Sequence, residues 1–292
     1  MNLRLQELYL IIFRFSLGYF FYFIARCLFV LFNSDLLVIN DFYEFLELCF
    51  YGLTFDTTAL FYTNALFLLG SIVPGTFTTS RIYQKGLFYL YIFFNGFALA
   101  LNYLDFVYYR FNFGRLTSKA FEVLENETNL IALSVSFLID YWYVFLLYFL
   151  SLFLWVKIYK ILIIKQIKNV HFSSYIGSSI VLFFLVSTTA VIGIRGDWRH
   201  STRPITLIHA MEKVDHPTKA DVVLNSVFTL IRTYDKNSFK YSDEFSQEQI
   251  NGLIQPIKKY KALEEFETPP NIVIFILESF GREYWGAMND SY

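Results

Sequence analysis

Asn271-Ile-Val-Ile-Phe-Ile-Leu-Glu-Ser-Phe280 follows the pair Pro269-Pro270 and precedes Gly281-Arg282-Glu283. The prolines stop whatever comes before, and Ile272 to Leu277 is a short apolar run rich in β-branched side chains. A run of that length and composition predicts a strand buried on both faces, as in a parallel sheet; a buried helix segment is the competing reading. The run ends on a carboxylate, Glu278. In open α/β sheets chemistry sits outside the carboxyl ends of the strands, and an acid there can hold a hard cation through oxygen. The alternative is that Glu278 simply ends the strand in solvent.

The chain as a whole has the composition of a membrane protein. Of 292 residues, 55% are hydrophobic and 21% aromatic, and the mean hydropathy is +0.43. Charged residues make up 17%, against roughly 25% in soluble domains. A net charge of -1 gives no reason to expect a nucleic-acid partner. The Phe and Tyr excess suits lipid-facing and interfacial positions. Cys27 and Cys49 both fall in apolar stretches and read as buried free thiols rather than as a disulfide or a metal motif.

Five apolar stretches precede the strand: about Leu8 to Phe32, Phe45 to Val73, Leu87 to Tyr108, Leu130 to Val156 and Tyr175 to Ile194. Each is long enough to cross a bilayer as a helix. The first is too long for the apolar region of a signal peptide and lacks a small-residue cleavage site, so it reads as retained. Arg14 and Arg26 lie near its two ends, where both side chains are expected to snorkel. Asp56 and Asp140 fall inside the second and fourth stretches. An intramembrane Asp is either a functional group or the partner of a cation on a neighbouring helix, and the second is favoured for Asp56.

From Arg195 the chain turns polar. Two helices are expected, Ile205 to Val214 behind Pro204, and Ala220 to Arg232. In the second, Val222, Val223, Ser226, Val227, Leu230 and Ile231 fall mostly on one face, so it should lie on the membrane or on the spans. Tyr234 to Thr268 is a charged connector. The expected domains are a five-helix transmembrane domain over 1–194, juxtamembrane helices and linker over 195–268, and the first strand of an α/β domain over 269–292. His200, His209 and His216 lack zinc-motif spacing.

The run V-I-F-I-L-E-S-F behind several spans resembles the opening strand of the extracellular domain of lipoteichoic acid synthases. These are phosphoglycerol transferases of the alkaline phosphatase and sulfatase superfamily. Weaker resemblances lie in Gly52-Leu-Thr-Phe-Asp56, with Thr54 where the family often has Arg, in Asn102-Tyr-Leu-Asp105, in Tyr108-Tyr109-Arg110, in Arg195-Gly196, in Arg203-Pro204 and in Asn225 to Thr233. The resemblance implies an α/β alkaline-phosphatase-like domain beginning at the strand. It makes Glu278 a ligand of a catalytic divalent metal, manganese in the first place, with magnesium or zinc as alternatives. It also implies transfer of glycerol phosphate from phosphatidylglycerol to a glycan or glycolipid acceptor. The family's Thr or Ser nucleophile and its Asp-His ligands would lie beyond Tyr292, so residues 1–292 read as the front part of such an enzyme, inactive alone. Phosphoethanolamine transfer and sulfate-ester hydrolysis are the alternatives within the superfamily. A transporter or membrane scaffold, with Asp56, Asp140 and Asn102 along a polar path, is the alternative of another class.

Orientation follows from the basic residues of the loops. Arg81 and Lys85 follow the second stretch, and Lys157, Lys160, Lys165 and Lys168 follow the fourth; the loop after the first carries Asp35, Asp41 and Glu44 and no Lys or Arg, and the loop after the third, with Arg110, Arg115 and Lys119, reduces the contrast without reversing it. The positive-inside rule then places the N-terminus in the bacterial cytoplasm and the segment after Ile194 outside. A reporter active only outside the cytoplasm should be active when fused after Thr268 and silent when fused at Lys165. The reverse pattern would overturn this orientation.

Overall fold

The computed structural model describes residues 4–121, 130–164, 172–196 and 204–234, with Gln249, Asn271 and Val273 beyond them. The chain divides into two compact units, Met1–Asn237 and Ser238–Tyr292. The expected strand Ile272 to Leu277 and Glu278 lie in the second unit, where only Gln249, Asn271 and Val273 are among the described residues.

The first unit is a helical bundle. Helix α1 is Leu5–Phe32, α2 is Phe42–Thr63 and α3 is Ala65–Ile72; a single 3-10 turn, Thr76–Thr79, leads into α4, Arg81–Asn112. Helices α5, Leu130–Asp140, and α6, Trp142–Tyr159, are followed by α7, Phe172–Arg195. Three short helices close the unit: α8, Ile208–Met211, α9, Pro217–Val223, and α10, Ser226–Thr233. Among the described residues no strand occurs.

Among the described residues four helices are long and apolar enough to cross a membrane: α1, α4, α6 and the Tyr175–Arg195 part of α7. Their outward faces are apolar, with Phe93, Phe97, Phe149 and Phe184 all exposed. That is an exterior suited to lipid, where helices satisfy their own backbone groups. Helix α1 packs on α2, α4 and α6, α4 also on α6, and α2 on α7. The seam is largely aromatic: Phe21 stacks on Trp155 with centroids 4.5 Å apart, and the Trp155 indole donates to the Tyr91 hydroxyl. Where α2 and α7 cross, Thr58 donates to the Gly193 carbonyl, and a Cβ at Gly193 would lie 2.1 Å from the Phe61 ring.

The second apolar stretch is divided at Asn64. Asn64 and Asn95 form a reciprocal amide pair at 3.1 and 2.7 Å, and the Asn64 amide also donates to the Leu60 carbonyl. Side-chain amides hydrogen-bond across helices where water is scarce, and Asn64, which carries this pair, is the residue at which helical geometry is interrupted. Helix α2 also begins earlier than expected, because Asp41 caps it by accepting from the Glu44 amide. The fourth stretch is likewise interrupted at a single residue, Tyr141.

Two expected helices are corrected. Residues 205–214 hold only one helical turn, Ile208–Met211, and Pro204 does not start it. Residues 220–232 hold two helices rather than one. Asn225 breaks the run because its side chain accepts from the Phe228 amide and caps α10. The break lets residues on both helices be buried: Val222, Val223, Ser226 and Phe228 are fully enclosed, whereas Leu230 and Ile231 are half-buried. The segment packs on α2 and α4.

Both cysteines are free, Cys49 buried and Cys27 half-buried. Neither arginine of α1 snorkels: Arg14 is 5% exposed and Arg26 is 4% exposed. Each is turned into the bundle, where Arg26 finds a carboxylate and Arg14 finds aromatic rings.

Candidate functional site

Ionised side chains gather at the end of the bundle where α1 and α4 finish and α2 begins. Arg26 of α1 and Asp56 of α2 form a two-pronged ion pair, Nη1 to Oδ2 and Nη2 to Oδ1 both at 2.7 Å. Asp56 is 1% exposed. The rest of the guanidinium is spent on the α9 terminus: Nε donates to the Val222 carbonyl at 2.8 Å and Nη2 to that of Val223 at 3.2 Å. Asp56 in turn accepts from the Asn225 amide at 2.8 Å. Gly52 makes room for this, since a Cβ there would stand 2.7 Å from the Arg26 guanidinium carbon and 3.0 Å from the Val223 carbonyl oxygen. The position one turn before Asp56 is therefore closed to larger side chains without movement of the arginine.

Asp105 of α4 anchors a second assembly. It takes a bond from Arg115 Nη1 at 2.9 Å, from the Leu116 amide at 2.9 Å and from the Ser226 hydroxyl at 2.7 Å. Arg115 also donates through Nε to the Asp221 carbonyl, and its guanidinium lies 3.6 Å from the centroid of the Phe29 ring. Asn102, one turn before Asp105, accepts from the Ser226 amide at 3.2 Å. Tyr109, one turn after it, donates to the Asp221 carboxylate at 3.0 Å. Both assemblies thus close on the same short segment, Asp221 to Ser226.

Weaker ties surround them. Lys219 bridges Glu44 at 2.5 Å and Asp215 at 2.8 Å, and Thr218 accepts from the Val38 amide. Arg110 makes an exposed two-pronged pair with Asp35. Ser118 donates its amide to the Thr233 hydroxyl and its own hydroxyl to the Thr233 carbonyl, which fixes the far end of α10.

The Asp221 carboxyl is pushed up from 3.8 to about 6. Burial is the main cause; the Arg115 charge and the Tyr109 hydrogen bond act the other way, and the Asp105 charge adds to the rise.

Most of these groups are saturated by each other. The space enclosed by Tyr22, Arg26, Asn102, Arg115 and Asn225 is about 10 Å³, room for one water and no more. No group of three His, Cys, Asp or Glu side chains placed to hold a metal occurs among the described residues. His209 bonds Thr206, and His216 caps α9. The arrangement is a latch that ties α9 and α10 to the spans. Two open grooves flank it. One, of about 430 Å³, runs between Phe94, Phe97 and Leu101 of α4 and Leu230, Ile231 and Tyr234 at α10. The other, of about 450 Å³, lies between α2 and α7, with Leu53, Thr54 and Thr57 on one side, Gly193 on the other and Lys213 at its edge.

Of the residues singled out from sequence, Asp56, Asn102 and Asp105 meet here, whereas Asp140 is exposed beside the break at Tyr141. Glu278 lies outside the described residues. Sequence reading took Asp56 to have a cationic partner without naming Arg26, and it missed the Asp105–Arg115 pair. The signal for that pair was available, since an acid near the end of a span is followed ten residues later by an arginine. Comparisons with protein-family models, with curated proteins and with solved structures each return no match.

Replacing Asp56 with Ala strands a buried guanidinium, and the expected loss is about 3–5 kcal/mol of stability. Thermal unfolding in detergent checks this; a change within about 0.5 kcal/mol, the size expected of an ordinary surface substitution, would contradict the latch. Asp221 makes a pH-dependent contribution of known sign. Its folded-state value is raised, so its stabilising contribution is complete below 3.8 and is lost as pH rises through about 6. Wild-type protein should therefore gain stability relative to Asp221→Asn as pH is lowered across that window. A difference that does not vary with pH there would refute the assignment.

Proposed function

We propose that this chain is the membrane anchor and leading segment of a metal-dependent phosphoglycerol transferase of the lipoteichoic acid synthase type. In this reading α2 and α3 together form a fifth span, the N-terminus is cytoplasmic, and the chain after Thr233 leads to a sulfatase-like domain outside the membrane. The donor is phosphatidylglycerol and the acceptor a glycan or glycolipid. Glu278 supplies one oxygen ligand to a divalent metal, manganese in the first place, and the metal would bring Lewis-acid stabilisation of phosphate charge.

The observation that supports the reading is a convergence. Gly52 to Asp56, Asn102 to Asp105 and Asn225 to Thr233 resemble the family separately and lie far apart in sequence. In the fold they meet in one buried network, through Arg26–Asp56–Asn225 and through Asn102 and Asp105 on Ser226. The physical use is plain. An enzyme that takes its donor from a bilayer gains by leaving the membrane at a fixed point, because positioning the reacting groups removes much of the entropic barrier. Asp56 and Asn102 are engaged inside this network and Asp140 lies apart from it, which gives a polar transport path little support.

The test is turnover of a labelled phosphatidylglycerol by a chain extended through the sulfatase-like domain. Release of diacylglycerol should depend on manganese. Glu278→Ala should lower turnover by roughly a hundredfold or more, since even outer-shell partners of metal ligands cost about 10–100-fold. Metal-independent turnover, or an unaffected Glu278→Ala variant, would remove this reading. Transfer from phosphatidylethanolamine instead would favour the phosphoethanolamine relatives, and hydrolysis of a sulfate ester the sulfatases.

A further inference from the structure

The opposite end of the bundle treats its charges differently. Arg14 is 5% exposed, yet no carboxylate lies within ion-pair distance among the described residues. Among the described residues its side chain makes one hydrogen bond, a long one from Nη2 to the Gln84 side chain at 3.3 Å, and its buried Nε has no partner. The guanidinium lies 4.4 Å from the centroid of the Tyr159 ring and 5.5 Å from that of Phe67. The Tyr159 hydroxyl is also buried and without a partner among the described residues. Two orphaned donors, one of them charged, thus lie side by side.

Ring contacts do not balance this. Cation–π attraction reaches about 2 kcal/mol when desolvated, whereas the penalty for burying an ion is several kcal/mol. The surroundings add positive charge. Tyr159 packs on Phe88 with centroids 5.1 Å apart, and Lys160 stands 5.2 Å from the Phe88 ring. Arg81 and Lys85 begin α4, and Lys157 lies in the last turn of α6. The carboxylate described at this end is Glu7, which is already held by Arg4 and by the Thr78 hydroxyl.

We propose that Arg14, Tyr159 and Lys160 form a binding site for the phosphate of an anionic phospholipid, entered between α4 and α6 along the Phe88–Tyr159 edge. Phosphate supplies what the site lacks: negative charge for two cations and acceptor oxygens for the Arg14 Nε and the Tyr159 hydroxyl. A lipid is favoured over a free anion because the neighbouring faces of α4 and α6 are apolar and exposed, with Tyr89 beside Lys85 and Phe153 beside Lys157, so acyl chains can lie against them. Basic pockets between spans are a recurrent headgroup site. The site is separate from the latch and does not rest on the enzymatic reading.

The experiment measures lipid preference of the purified chain by native mass spectrometry and by thermal unfolding. Phosphatidylglycerol is titrated against phosphatidylcholine, with inorganic phosphate as a third arm. Wild type should prefer phosphatidylglycerol by about tenfold, the size expected when more than one basic group engages the headgroup. Arg14→Gln should bring the preference close to unity, and Tyr159→Phe and Lys160→Gln should each lower it several-fold. Lys119→Gln, an exposed cation at the other end, should leave it unchanged. Should Arg14→Gln fail to fold, the exposed Lys160 variant and the wild-type ratio still decide. Equal affinity of wild type for the two lipids, an unaltered preference in Tyr159→Phe and Lys160→Gln, or stabilisation by inorganic phosphate matching that by the lipid would each overturn the proposal.

Discussion

The Arg26–Asp56 pair is the constraint on which the half of the bundle that carries α9 and α10 depends. Two charges buried this deeply are stable only while each keeps its partner and its further hydrogen bonds. Those further bonds come from outside the long helices: the Val222 and Val223 carbonyls on the arginine and the Asn225 amide on the aspartate. The pair therefore cannot be complete until α9 and α10 have docked. Docking leaves an otherwise orphaned α9 terminus with its carbonyls satisfied, so helix end and ion pair solve each other's problem.

The Asp105 assembly makes the docking specific in register. Asp105 has one bond to Arg115, one to Leu116 and one to Ser226, and Asn102 holds the Ser226 amide. A shift of the α9–α10 junction by one residue would offer Asp56 and Asp105 the wrong side chains. Buried polar groups are a weak source of net stability, since an apolar replacement of equal volume often does as well. Their use here is to define one placement of a short, irregular segment on helices whose remaining surface is apolar and undiscriminating.

How much of this was legible in the sequence depends on the range of the interaction that decides each part. The long apolar stretches were legible because span length and hydropathy are local properties: α1, α4 and α7 follow them closely, and the fourth stretch is apolar as expected but split at Tyr141 into α5 and α6. The division at Asn64 was not, because the group its side chain meets, Asn95, lies on another helix. The split at Asn225 could have been read, since Asn before a Ser-Val-Phe run is a cap signal; the burial pattern of Val222 and Val227 masked it. For Asp56 the expectation of a cationic partner held, while the same reasoning went astray for Arg26, which was placed at the interface. The two statements were in conflict from the start: a carboxylate that needs a cation and a cation one helix away are one problem, not two. For Glu278 the matter stays at the level of the sequence, since the residue lies outside the described segments.

The two ends of the bundle show the same physics resolved in opposite ways. Near α9 and α10 Arg26 and Arg115, both buried, each have a carboxylate from their own chain, and the bonds left over go to backbone carbonyls. Near the start of α4, Arg14 is buried to the same degree with rings and a distant amide in place of an acid. Burial of this kind is not sustained by dispersion alone, because the desolvation of an ion exceeds what aromatic contact returns. Either the charge is met by something outside the chain, or the bundle carries a local penalty that a neutral residue would relieve. A soluble protein would meet such a charge with water. A helix bundle in lipid has one abundant anion at hand, the phosphate at the level where its helices leave the hydrocarbon, and the cations of Arg14, Lys85, Lys157 and Lys160 are grouped near the ends of α4 and α6, where such a phosphate would stand.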